Sequence, residues 1–201
     1  MLAILPKLIL PQRLNRSRTE YHIPINEMPL LCDGIKKSAL NNWESGASVP
    51  PITGVYSIAL CFGVSIDWLC GLSDDRYTEA SVSATESAYP VSDDDFKILV
   101  PDMVSCTVLH TPGFTDNELQ EIMQRYRNIE TRRSFWSLEA RAYIVVLTRY
   151  IKMIISTQRE SSEASLTSIQ QKRLQANHVE LLLTIANGRT PTPNEMQPYI
   201  K

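Results

Sequence analysis

Gly34-Ile35-Lys36-Lys37-Ser38-Ala39-Leu40-Asn41-Asn42-Trp43-Glu44-Ser45-Gly46 decides how the first third of this chain is read, together with the stretch Ile58-Ala59-Leu60-Cys61-Phe62-Gly63-Val64-Ser65-Ile66-Asp67-Trp68-Leu69-Cys70-Gly71-Leu72. Gly34 permits a sharp turn between two helices, where a positive φ is needed. Ile35, Leu40 and Trp43 then fall at spacings that bring them to one buried face of a helix. Lys37, Ser38, Asn41 and Asn42 are left projecting outward. A face of Lys, Ser and Asn suits the DNA major groove, because short amides bond adenine edges and lysine bonds guanine acceptors. Gly46 ends that helix, and Pro50-Pro51 opens the next within its tolerated first turn. There Val55, Ile58, Ala59 and Phe62 make the inner face, with Ala59 small enough for the outward-reading helix to pack closely. Ser65 caps a last helix whose Val64, Trp68 and Leu69 close the core.

Working outward, the apolar spacing before Ser73 is that of short helices separated by turns. Five fit, at about residues 11–21, 25–33, 36–44, 51–62 and 65–71. The opening stretch Met1 to Leu10 is apolar but broken by Pro6 and Lys7, too short to span a bilayer and without a charged segment ahead of it. It reads as a packing arm.

The run Trp43-Glu44-Ser45-Gly46, the proline that follows, and Ile58-Ala59 with Phe62-Gly63-Val64-Ser65-Ile66-Asp67-Trp68-Leu69-Cys70-Gly71 resemble the closing half of the lambda-repressor-like helix-turn-helix family, the Cro/repressor or XRE type. The resemblance covers about residues 11–72. It implies a five-helix DNA-binding domain in which Lys37, Ser38 and Asn42 touch bases, Asn41 touches bases or backbone, and Lys36 and Ser45 lie near phosphates. Arg13, Arg16 and Arg18 become candidates for phosphate contact, one of them pairing with Glu44 to brace the domain. The opening half departs from the family, offering Pro24-Ile25-Asn26-Glu27-Met28-Pro29 where helix 2 begins. Either Met28 and Cys32 fill core positions and an extra residue enters the turn before Lys36, or the register is ungapped and Asn26 takes a phosphate-contacting place. Pro29 makes helix 2 begin late or kink.

Beyond this domain, assigned to residues 1–72, the composition shifts. From Ser73 to Asp95, Asp74, Asp75, Glu79, Glu86, Asp93, Asp94 and Asp95 face a single Arg76 among Ser, Thr and Ala, as in a mobile linker. Residues 96–201 read as a second, mainly helical domain for oligomerisation or effector binding. Lys97–Val100 and Val104–Leu109 suit either a short β-hairpin or a docked extended segment. Thr115 with Glu118 forms a capping box that opens a helix. A longer helix, about Ser134 to Thr157, carries Trp136, Ala140, Tyr143, Ile144, Leu147, Tyr150, Ile151 and Ile154 on one wide face. A third runs from about Ser165 to Asn187, stopping at Gly188, with Ile169, Leu174, Val179, Leu182, Leu183 and Ala186 apolar against a polar back. An apolar surface as wide as that of the middle helix exceeds what one partner helix covers. It is therefore expected to form a homodimer interface through Tyr143, Ile144, Leu147, Ile151 and Ile154, or else to line an effector pocket.

Composition adds limits. The chain has 201 residues, 43% hydrophobic and 21% charged, with a net charge of −2. Residues 1–72 hold six Lys/Arg against five acids, and the rest fourteen against seventeen, so total charge does not announce nucleic-acid binding. Cys32, Cys61, Cys70 and Cys106 form no CxxC pair, as expected of reduced thiols in a cytoplasmic protein. His22, His110 and His178 are scattered and Asp93-Asp94-Asp95 reads as a solvated charge run, so neither a metal, a cofactor nor an enzyme site is expected. A self-cleaving Ser/Lys peptidase is disfavoured by the long helices after Thr115 and by the lack of Ala-Gly or Cys-Gly in residues 73–95. The mostly α chain is thus expected to be a DNA-binding transcriptional regulator, a repressor in character, acting as a homodimer on double-stranded DNA. The alternative is an antitoxin-type module that binds a toxin through its C-terminal helices and autoregulates through DNA.

Overall fold

The computed structural model describes residues 5–32, 34–92, 137–160 and 191–197, with Lys172, Ala176, Asn177, Glu180, Thr184 and Arg189 between the last two stretches. The protein is mostly helical, and no strand occurs among the described residues. The 97–109 strand pair, the helix from Thr115, Trp136, most of the 165–187 helix, the stop at Gly188 and the side chain of Ile154 lie outside them. The chain divides into two units, Met1–Pro90 and Val91–Lys201.

In the first unit α1 spans Leu5–Thr19, α2 Met28–Leu31, α3 Lys37–Glu44, α4 Ile52–Phe62, α5 Ile66–Cys70 and α6 Glu79–Ala88. Helix α1 begins six residues before the expected 11, so the end of the stretch read as an arm is helical. Pro11 sits inside α1 and removes one of its backbone hydrogen bonds. Burial of Leu10 and Leu14 from the same helix offsets that loss. Pro29 confines α2 to one turn, starting late as expected, with the ring at a first-turn position that it tolerates. Met28 and Cys32 are both buried, the core places expected of them in the first of the two readings. Gly34 then turns the chain at φ +79°; a Cβ there would meet nothing within 4 Å, so conformation alone calls for glycine.

Pro51 stands just outside α4 as its extended N-cap, not within its first turn. Ser65 caps α5 by accepting a hydrogen bond from the Trp68 N–H at 3.4 Å. Leu14, Tyr21, Met28, Leu31, Leu40, Ile58, Phe62 and Leu69 are fully enclosed, and Tyr21 stacks on Phe62 with ring centroids 5.6 Å apart. Trp43 and Trp68 are core residues. Helix α1 packs on α3 and α5, and α4 on α5 and α6.

Most of the stretch read as a mobile linker is part of this unit. Thr78 and Ser81 form a reciprocal capping box that starts α6, and Val82 and Thr85 are buried. The hydroxyls of Ser81 and Thr85 donate to the carbonyls of Gly63 (3.0 Å) and Leu60 (2.9 Å). They thereby satisfy carbonyls at the C-terminal end of α4 that no further helical turn can reach. Arg76, the one cation of the acidic stretch, lies over the rings of Trp68 and Tyr77, each centroid 5.0 Å away, and pairs with Glu20. Burial opposes its charge, but Tyr77, Glu20 and Tyr21 outweigh that and hold the guanidinium protonated. Composition pointed to a linker because the apolar side chain that α6 buries is a single valine; hydroxyls and one arginine make the remaining contacts.

In the second unit α7 spans Leu138–Glu160 and α8 Pro193–Met196. Every residue from Ala142 to Thr148 is buried. Asn177, Glu180 and Thr184 are also buried, and the Tyr143 hydroxyl donates to Asn177 Oδ1 at 3.3 Å. These three fall at helical spacing on residues read as the polar back of the third helix, so polar groups of that back are enclosed rather than solvated. Glu195 closes a capping box with Thr192 and accepts both Arg189 nitrogens at 2.7 and 3.1 Å. The Arg189 hydrogen bonds, with those from Thr192, pull its carboxyl down to about 2.

Candidate nucleic-acid interface

Helix α3 buries Leu40 and Trp43 and exposes Lys37, Ser38, Asn41 and Asn42. At 100° per residue the exposed four, with Ser45, occupy an arc of about 140° opposite the buried pair. Lys36 is exposed at the N-cap, and Ser45, also exposed, follows the last turn with its hydroxyl donating to the Asn42 carbonyl at 3.2 Å. The six side chains assigned to bases and phosphates on this helix and its caps therefore share one solvent-facing surface.

Two anchors fix that surface. The first is Trp43, whose ring lies against Gly54 of α4: a Cβ at Gly54 would sit 2.7 Å from Trp43 Cη2. A close approach of α4 to the reading helix is thus made at Gly54, a residue that the apolar pattern of α4 does not mark. The second anchor is Glu44, which ends α3. Its carboxylate accepts Arg18 Nε at 2.8 Å, Arg18 Nη2 at 2.9 Å and Asn15 Nδ2 at 2.7 Å. The Arg18 and Glu44 side chains are only 14% and 8% exposed, so this forked, charge-assisted pair is shielded from water. Arg18 also donates to the Ile23 carbonyl at 2.8 Å, tying the turn after α1 to the same point.

Arg18 is thus the arginine that pairs with Glu44 and braces the domain. Arg13 also makes internal contacts: it donates to the carbonyls of Trp68 and Ser73, reaches Asp74 at 3.3 Å and lies over the Trp68 ring at 4.9 Å. Arg16 remains 61% exposed while pairing with Glu20 at 2.6 Å. Asn26 is exposed in a turn ahead of α2.

Beside α3 runs an open cleft of about 610 Å³ whose lining includes Lys36, Ser38, Asn42, Ser48, Thr53 and Ser57. The hydroxyls of Ser48, Thr53 and Ser57 extend the polar surface of α3 toward the start of α4. They carry no motif, and only the packing of α4 against Trp43 brings them there.

Most of the described residues expected at the dimer interface are enclosed within a single chain. Tyr143, Ile144 and Leu147 are 2%, 7% and 1% exposed within a single chain, and Ile151 is half-buried. The wide apolar surface of α7 is covered by the chain itself. Among the described residues no three His, Cys, Asp or Glu side chains gather as metal ligands would, and no helix is long and apolar enough to cross a membrane. Compared with protein-family models, with curated proteins and with solved structures, the chain matches none.

Proposed function

We propose that this chain is a sequence-specific DNA-binding transcriptional regulator of the cytoplasm, a repressor in character, whose reading head is residues 5–90 and whose reading helix is α3. The observation that carries this reading is the exposed Lys37, Ser38, Asn41 and Asn42 face, held by a buried indole on one side and a buried Arg18–Glu44 fork on the other. Such a face offers donors and acceptors at fixed positions, which base discrimination needs, because a side chain must hold its geometry to tell one base edge from another. In the proposed complex Lys37, Ser38 and Asn42 meet base edges, Lys36 and Ser45 meet phosphates, and Asn41 meets either. One head reads only a few base pairs, so two copies are expected on a two-fold operator with half-sites about 34 Å apart.

The test is enrichment of duplexes from a random-sequence pool by the full chain, followed by footprinting. Lys37→Ala and Asn42→Ala should each weaken binding to the enriched sequence by roughly 1–3 kcal/mol while leaving the melting transition intact. Pools that fail to converge, or footprints unchanged in both variants, would refute α3 as a reading helix.

A further inference from the structure

We propose that Ser73–Pro90 is a releasable strap on the first unit whose opening weakens DNA binding by the reading head; this rests on the reading of α3 as the DNA-contacting helix. The strap is held mostly by polar contacts. The Ser65 N–H donates to the Arg76 carbonyl at 2.7 Å, Arg13 donates to the Ser73 carbonyl at 2.8 Å, and Ser81 and Thr85 bond the end of α4. From α6 only Val82 and Thr85 are buried. A segment with so little apolar burial is the kind that opens locally while the core stays folded.

Arg76 adds a reason for two states. Its side chain is 11% exposed, and its Nε and Nη2 are buried without a hydrogen-bond partner, so Glu20 satisfies only part of the guanidinium. Unsatisfied buried donors penalise the closed state, and release into water removes that penalty. The closed strap is thus held by its stack on Trp68 and Tyr77 and by its backbone bonds, against a cost built into the same residue.

Release would reach the reading helix through α1. That helix carries Arg13, which binds the strap, and Asn15 and Arg18, which hold Glu44 of α3; Glu20, the partner of Arg76, follows directly after it. Opening the strap removes the Ser73 and Asp74 contacts of Arg13 and the Arg76 contact of Glu20, takes one guanidinium off the Trp68 ring and exposes the last carbonyls of α4, whose other end seats Trp43 at Gly54. Both anchors of the reading face therefore rest on elements that the strap braces. The strap ends at Pro90, the last residue of the first unit.

Amide hydrogen exchange on the full chain, with and without Arg76→Gln, tests this. In the wild type, amides of residues 78–89 and of Ser65 should exchange at least about 100-fold faster than Ile58 and Ala59 in α4, the signature of partial opening. In Arg76→Gln the strap amides should lose protection while Ile58 and Ala59 keep theirs. Affinity for a duplex enriched by the wild-type chain should fall about tenfold, within the ordinary range of coupling between sites. Should Arg76→Gln fail to fold, Ser81→Ala with Thr85→Val removes both hydroxyl bonds to α4 and is read in the same way. Strap amides that exchange only as slowly as Ile58 would overturn the proposal, as would a released strap with unchanged duplex affinity. A wild-type chain that enriches no duplex defeats the DNA reading and this inference with it. The exchange profile tells that failure apart from failure of the strap alone.

Discussion

Helix α3 buries Leu40 and Trp43 and turns a polar arc to solvent, whereas α7 buries seven consecutive residues, Ala142 to Thr148, leaving no free face over that stretch. The first is a rod laid on a surface, and the second is a rod with protein on all sides. On the sequence both resemble contact surfaces, since α3 has too many polar side chains for a core helix and α7 too many apolar ones for a single partner. The width of an apolar face measures how much must be covered, but it does not say whether the cover comes from the same chain. Polar residues opposite a buried tryptophan are less ambiguous, because solvent is what such a face ordinarily meets.

The largest effect that could break this contrast is expected at Ile144. An aspartate there places an unpaired charge inside a helix that is enclosed all round, which should destabilise the second unit by about 4–5 kcal/mol or more. Circular dichroism on heating should then show loss of the second unit's transition while that of the first remains. If Ile144→Asp instead splits an oligomer in sedimentation and leaves melting unchanged, α7 is an intermolecular surface after all. Next in size is Trp43→Ala on the other helix. It removes the indole seated at Gly54 and should cost roughly 3–5 kcal/mol, enough to unfold a unit of this size. Cooperative melting of the first unit at its original temperature would show that Trp43 does not anchor α3.

The two units differ in how far their sequences could be read, and for physical reasons. In the first, turn residues and apolar spacing agree: Gly34 takes the positive φ expected of it, Ser65 caps α5, and Val55, Ile58, Ala59 and Phe62 all face inward. Local rules suffice there because each helix is short and bounded by its own signals. The strap was illegible because its contacts are made by hydroxyls and a lone arginine, residue types that composition assigns to solvent. Gly54 was illegible because a close approach depends on which ring lies opposite, and that is a tertiary fact. In the second unit, Asn177, Glu180 and Thr184 are buried on what reads as a polar back. No periodicity argument anticipates a polar stripe inside a helical core. As for the candidate site, the α3 residues follow from spacing, whereas the fates of Arg13 and Arg18 depend on partners 55 and 26 positions away in sequence.

The smallest and most discriminating effect is the dependence of DNA binding on salt. The first unit holds seven Lys/Arg against nine Asp/Glu through residue 90. Arg13, Arg18 and Arg76 are committed to internal contacts, and Arg16 pairs with Glu20. Lys36 and Lys37 are the cations on the reading surface itself. Two heads on one operator thus bring four such lysines, and counterion release on neutralisation by each of these charges gives a slope of log K against log salt of roughly −4. A binder with so shallow a slope draws little affinity from the phosphate backbone and depends on base contacts. Its binding to unrelated duplexes should then be weak, and the loss caused by Asn42→Ala should hardly vary with salt. Lys36→Ala should instead reduce the slope by about 2, one phosphate contact per head. A wild-type slope steeper than about −8 would mean that Arg13 or Arg18 leaves its internal partners on binding, and the polar arc of α3 would then be a minor part of the interface.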